Sequence, residues 1–407
     1  LPIDIQQERA ADLDLSPIAI PDTRVRPAVD AVRKAASLLR AARNPVILAG
    51  SRITEFNATS SLIAVAELLG APVISESGTT HGRLAFPSDH DLNAQGLPLW
   101  SPEIRERLAE YDVALVVGMD LLRQYVYHEP ARAIPEQLRL VHIDEDPRQL
   151  GKNYPVEVGV IGHSHVALEE LHAELHATMT TEERQKATAR RNTLGEMHRR
   201  NRDNLWQRVR TERTQRPITP LALMGTVAKT LPDNIAVVEE AVTTTNTTLE
   251  RLGALKNTTG YFGHRGWALG WGLGVAIGVR LAWPERPVLA ILGDGATLYG
   301  VQGLWTAARH QIPVVFLVCN NAQYQILKIG ARGLGLPQAM QDRFEGLDLD
   351  RPHVDLVGLA RSLGVEAHRV TELDELSDRL TNGWNRDKPL VLEVPITHAI
   401  PKRLNYG

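Results

Sequence analysis

Val288-Leu289-Ala290-Ile291-Leu292-Gly293-Asp294-Gly295, followed downstream by Pro313 to Asn321 (PVVFLVCNN), is the part of the chain whose reading decides the fold. The first apolar run reads as a buried parallel strand that ends in the Gly-Asp-Gly turn. Leu298 to His310 then shows helical spacing through Val301, Leu304, Trp305 and Ala308, and Pro313 to Cys319 reads as the next buried strand. Two parallel strands present their carboxyl ends at one edge, where open α/β sheets bind ligands, so Asp294 and Asn321 should meet there. Magnesium prefers one or two protein oxygens completed by phosphates and water, and calcium accepts similar donors. Asp294, the Asn321 side-chain oxygen and a nearby main-chain carbonyl suit a metal-bound diphosphate. Gly293 and Gly295 let the backbone approach a phosphate closely.

Around this segment the pattern is strand and helix in alternation. Asn234 to Glu239 reads as a strand, and Val242-Thr243-Thr244-Thr245 after it reads either as a helix start aimed at an anion or as a plain cap with β-branched surface residues. Gly263 to Gly278 holds six glycines among bulky apolar residues, too many for a free-standing helix. Further upstream, Asp30 to Arg43 and Ser60 to Leu69 read as helices. Pro45 to Ala49, Pro72 to Ser75, Val113 to Val117 and Arg139 to Ile143 read as strands. This predicts an α/β protein with two doubly wound parallel-sheet domains, at 21–177 and 216–407. The charged stretch 178–215 between them reads as a linker, a solvated connecting helix rather than a nucleic-acid surface. Thr219 caps and Pro220 starts the next helix. The turn Gly50-Ser51-Arg52 lacks the glycine fingerprint of a dinucleotide loop.

Composition narrows the function. A chain of 407 residues at 43% hydrophobic can build two ordinary cores, and a net charge of −3 gives no electrostatic case for nucleic acid. Cys319 is the sole cysteine, so no intrachain disulfide forms and a reducing cytoplasm is the natural setting. Gly266 to Val279, the longest nearly uncharged apolar stretch, is too short and glycine-rich to span a membrane.

The segment GDGATLYGVQGLWTAARHQIPVVFLVCNNAQYQILK, together with YFGHRGWALGWGLGVAIGV at 261–279, resembles the thiamine diphosphate-dependent 2-keto acid decarboxylases, above all benzoylformate decarboxylase and its relatives. The resemblance runs over essentially the whole chain. It implies that Asp294, Asn321 and the Gln323 carbonyl hold magnesium, with calcium a possible substitute. It also implies that Gly293, the Gly295 and Ala296 amides, and the Thr243 and Thr244 hydroxyls serve the diphosphate. Many members carry Ser where Ala296 stands, so one hydroxyl contact is missing. Leu269 corresponds to the apolar residue that bends the cofactor, with helix core as the plain alternative, and the Trp267 carbonyl to the acceptor of its amino group. Tyr324, Ile326, Leu327 and Gly330 fall where the family lines its substrate pocket. His128, near Tyr125 and Tyr127, falls near a family active-site histidine, in a register that differs by a residue or two. His264 and Arg265 have no counterpart in the nearest relatives.

The resemblance implies non-oxidative decarboxylation of a 2-keto acid to an aldehyde by a homodimer or homotetramer, without FAD in the middle domain. A carboligase or lyase of the acetolactate-synthase or benzaldehyde-lyase type is the enzymatic alternative, and a cofactor-binding but inactive fragment or split subunit the third. Residues 1–20, opening on Leu1-Pro2-Ile3-Asp4-Ile5, match the last strand of an N-terminal pyrimidine domain and a linker. That domain carries the family's catalytic glutamate, so the chain alone is expected not to turn over substrate.

Overall fold

The structure, a computed structural model of the chain, describes residues 2–9, 14, 16–76, 82–98, 100–122, 132–263 and 268–400. Two six-stranded sheets organise it, and every strand pair in both is parallel. The first comprises β1 (Pro45–Ala49), β2 (Val73–Ser75), β3 (Asn93–Gly96), β4 (Val113–Val117), β5 (Arg139–Asp144) and β6 (Val158–Ile161), in the order β3-β2-β1-β4-β5-β6. The second comprises β7 (Ala236–Glu240), β8 (Tyr261–Gly263), β9 (Val288–Gly293), β10 (Val315–Asn320), β11 (Glu366–Arg369) and β12 (Leu390–Pro395), in the order β11-β12-β10-β9-β7-β8.

Both sheets are buried on two faces, which is why their central strands are continuous apolar runs. Along β9, Leu289 and Ile291 pack with Leu223, Val227 and Leu376 from helices Pro220–Thr230 and Leu373–Gly383. Ala290 and Leu292 point the other way, onto Leu273, Ile277 and Leu304 of helices Trp271–Ala282 and Gly303–Arg309. The first sheet is built alike, with Leu115 facing Leu39, Leu62 and Leu171, and Val116 facing Ile104 and Leu108.

Several elements differ from the sequence reading. The expected helix 298–310 is two helices, Asp294–Gly300 and Gly303–Arg309. The glycine-rich segment does form a helix from Trp271, because packing on β7 and β9 supplies what its propensity lacks. Ile3–Gln7 is one exposed helical turn rather than a strand, with no neighbouring strand among the described residues to pair with. Strands β3 and β6 were not anticipated, since NAQG and VGVI carry little strand signal.

The stretch expected as a linker is a 32-residue helix, Thr181–Glu212, opened by a capping box between Thr180 and Glu183. Its first half lies on the first sheet's helices, where Arg190 donates to the Leu69 carbonyl and Arg191 pairs with Glu67. Its second half lies on the other unit, where Trp206 Nε1 donates to the Leu252 carbonyl at 3.2 Å. The units also meet directly, because Arg83 donates to the carbonyls of Tyr261 (2.9 Å) and Thr259 (2.7 Å).

At this junction Glu250 is buried and its oxygens reach no hydrogen-bond partner. Burial pushes its carboxyl from 4.5 up to about 7, against the pull of Asn93 and Arg107. A carboxyl raised on folding costs nothing below its unfolded pKa, and stability falls as pH rises through the window from about 4.5 to about 7. Glu250→Gln should remove that slope, worth about 3 kcal/mol at pH 8. Urea unfolding of both proteins at pH 5 and pH 8 checks this, and parallel pH dependences would show that Glu250 does not titrate in this window.

Candidate cofactor site

In an open parallel sheet the ligand crevice opens where the strand order reverses. The second sheet reverses between β7 and β9, since β7 leads to β8 on one side and the chain then crosses to β9 on the other. Glu240 is level with Leu292, and Gly293 with Cys319. The residues that follow β7, β9 and β10 therefore stand side by side: Val242 to Thr245, Asp294 to Ala296, and Asn321 to Gln323.

Asp294 is the centre of this edge. Its Oδ1 accepts from the Gly295 amide at 2.8 Å, whereas Oδ2 is buried without a hydrogen-bond partner. Burial raises the carboxyl to about 6, although amides of Gly295, Ala322 and Gln323 favour its charge. A buried carboxylate oxygen that no donor satisfies is what a cation would complete. No group of three or more His, Cys, Asp or Glu side chains gathers among the described residues, so a metal here would take one carboxylate with amide and carbonyl oxygens.

The two asparagines separate cleanly. Asn320 is structural, donating to Glu393 Oε1 at 2.6 Å and accepting from the Ala322 amide at 2.9 Å. Asn321 Oδ1 accepts only from the Gln323 amide, at 3.2 Å. The loop that follows them is braced: Tyr324 N donates to Leu347 O and Leu349 N to Ala322 O, both at 2.8 Å. The Gln323 side chain is engaged by Lys328 Nζ at 2.8 Å and by the His398 carbonyl at 2.9 Å. Lys328 in turn pairs with Asp348, so the buried ammonium ties the loop to its antiparallel neighbour. Lys328 went unread in the sequence.

Val242–Thr245 is a single helical turn at the same edge. Thr243 is partly open and Thr244 buried, whereas the Thr245 hydroxyl is committed to Glu239, which also accepts from Tyr261 Oη at 2.6 Å. Ala296 is buried beside Asp294, and a Cβ on Gly295 would come within 2.7 Å of the Tyr324 ring, so that close contact requires glycine. Ile326 and Leu327 are exposed on the Gln325–Gly333 helix and are not core. Leu269 is 42% exposed just before the Trp271–Ala282 helix, so its reading as helix core fails. Trp267, His264, Arg265, His128, Tyr125 and Tyr127 lie outside the described residues.

The first sheet reverses between β1 and β4. A Cβ on Gly50 would stand 2.3 Å from the Gly118 carbonyl oxygen and from Met119 Cβ. Arg52 spans the opening, bonded to Asp120 at 2.8 Å and to Asp144.

Comparison with known proteins points the same way. Residues 32–171 match the thiamine pyrophosphate enzyme central domain, and residues 242–394 the thiamine pyrophosphate enzyme C-terminal TPP binding domain. The chain is 28% identical to the benzoylformate decarboxylase of Pseudomonas aeruginosa over 88% of its own length and 62% of that protein's. It is 25% identical to the "Probable acetolactate synthase large subunit" of Methanocaldococcus jannaschii, over 90% of its length and 60% of that protein's. It thus spans about six-tenths of the length of these relatives. The crystal structure of benzoylformate decarboxylase from Polynucleobacter necessarius superposes with a TM-score of 0.79 at 25% identity, covering 98% of this chain and 70% of that one. A half-satisfied aspartate at the switch point of the second sheet and both domain matches lead to one conclusion: the chain belongs to the thiamine pyrophosphate-dependent enzymes and carries their central and C-terminal domains.

Proposed function

We propose that the intact protein is a magnesium- and thiamine diphosphate-dependent decarboxylase of a 2-keto acid, benzoylformate-like in its substrate class. The observation that carries this reading is the buried, unpartnered Oδ2 of Asp294 at the switch point of the second sheet. Asp294, Asn321 and the Gln323 carbonyl would hold the magnesium ion. Gly293, the Gly295 and Ala296 amides, and the Thr243 and Thr244 hydroxyls would receive the diphosphate, where the start of a helix favours negative charge. Leu269 would support the ring portion together with the Trp267 carbonyl, and Tyr324 and Ile326 would face the substrate side. Bound there, thiamine diphosphate supplies the electron sink that lets carbon dioxide leave.

A carboligase reading draws on the similarity to an acetolactate synthase subunit. The missing glycine fingerprint at Gly50-Ser51-Arg52, with Arg52 held by Asp120 and Asp144, weighs against a companion flavin dinucleotide. Exposed Leu281, Tyr299 and Trp305 support a homodimer or homotetramer, and the lone buried Cys319 suits the cytoplasm. No described helix is long and apolar enough to cross a membrane.

Carbon dioxide release from benzoylformate and from aliphatic 2-keto acids, with and without magnesium and thiamine diphosphate, tests the proposal on the intact protein. Condensed products without free aldehyde would favour the carboligase.

Leu269→Ala separates ring support from packing. Because the side chain is 42% exposed, its truncation should cost about 1 kcal/mol or less of stability, against about 2 to 5 for a buried leucine. Turnover should fall at least about tenfold, through misplacement of the reacting group. Thermal melting and steady-state kinetics measure the two effects, and a large stability loss with normal turnover would assign Leu269 to packing alone.

A further inference from the structure

Glu240 ends β7 at the switch point, and none of the roles above uses it. Its Oε1 accepts from the Gly270 amide at 2.6 Å and its Oε2 from the Gly272 amide at 2.9 Å, with the Trp271 amide also directed at the carboxylate. The first amides of a twelve-residue helix thus converge on one side chain. The fit leaves no slack. A Cβ on Gly272 would stand 2.7 Å from Glu240 Oε2. One on Gly270, whose φ of +92° already demands glycine, would stand 2.8 Å from Tyr299 Cβ. One on Gly300 would stand 2.5 Å from the Gly270 carbonyl oxygen. Tyr299 and Gly300 belong to the helix that starts at Asp294. Residues 270–272 are therefore gripped by Glu240 on one side and by the helix of Asp294 on the other, with Leu269 immediately before them.

We propose that Glu240 is a positioning residue: by holding the Gly270 and Gly272 amides it sets Leu269 at a fixed place relative to Asp294, and so supports the ring portion of thiamine diphosphate without contributing to its diphosphate. A carboxylate is required because two amides must each find an acceptor. The isosteric carboxamide offers one oxygen and turns its NH2 group toward the second amide. The inference rests on the thiamine diphosphate reading and is tested so that the two can fail separately.

The experiment titrates the intact protein with two probes, magnesium thiamine diphosphate and magnesium pyrophosphate, and follows amide exchange at Gly270 and Gly272. Glu240→Gln should speed exchange at both amides. It should also weaken thiamine diphosphate binding about tenfold, while leaving pyrophosphate affinity unchanged within about twofold. Added to Leu269→Ala, it should cause no further loss, since both act through one side chain. If Glu240→Gln does not fold, Gly272→Ala, which crowds Oε2, is expected to give the same selective loss. Equal weakening of both probes would show a general structural role and overturn the proposal, as would unchanged affinity for both. Failure of the unmodified intact protein to bind either probe would instead overturn the cofactor reading itself.

Discussion

Asp294→Ala is expected to abolish magnesium-dependent binding of thiamine diphosphate while leaving the metal-free protein at least as stable as before. The two effects have one cause. Asp294 is the only charged side chain in the proposed ligand set, and one of its oxygens is buried without a donor. Removing a group that merely orients a metal ligand costs about 10 to 100-fold in affinity, so losing the ligand itself sets a floor of about 100-fold. Without metal, however, the carboxylate is a burden, because burial has raised its pKa from 3.8 to about 6. Above that pH the charge is poorly solvated in the folded state and fully solvated in the unfolded chain, and the alanine variant is relieved of that difference. Titration calorimetry and thermal melting at pH 8 check both halves. Cofactor affinity within a few-fold of wild type would remove Asp294 from the site.

Arg52→Leu should have the largest effect on stability, about 3 to 5 kcal/mol, because it leaves buried charge without its partner. The Asp144 side chain is 1% exposed and Asp120 12%, and Arg52 bonds to both. Nearby His142 cannot substitute, since burial lowers its pKa and keeps the ring neutral. Chemical denaturation measures the loss, and the added changes Asp120→Asn and Asp144→Asn should recover most of it. A cost below about 1 kcal/mol would mean that water already screens the cluster.

The two central strands of the second sheet, and the meeting of Asp294 with Asn321, were legible because each polar residue ends an apolar run long enough to be a buried strand. The division of labour between Asn320 and Asn321 was not, because it depends on Glu393 from a strand that pairs 70 residues later in the chain. Nor was the break between Gly300 and Gly303, which follows from a contact between Gly300 and Gly270. Glu240, one residue beyond the strand read at Asn234 to Glu239, was not singled out, since only the fold brings it to amides 30 residues away. The 178–215 stretch was readable as a connecting helix but not as a packed one, because its apolar contacts are few and lie far apart: Ala187, Gly195, Leu205 and Val209.

That helix has a mechanical consequence. At about 1.5 Å per residue its 32 residues make a rod of about 48 Å. It is riveted at both ends by contacts that tolerate no added atom. A Cβ on Gly70 would fall 2.0 Å from the Ala187 carbonyl oxygen, and one on Gly225 would fall 2.3 Å from Val209 Cγ1. A hinge between the two sheet units would have to bend this rod or tear out one of the rivets. The two units are thus coupled through one helix, and a displacement of either is passed to the other through Ala187 and Val209.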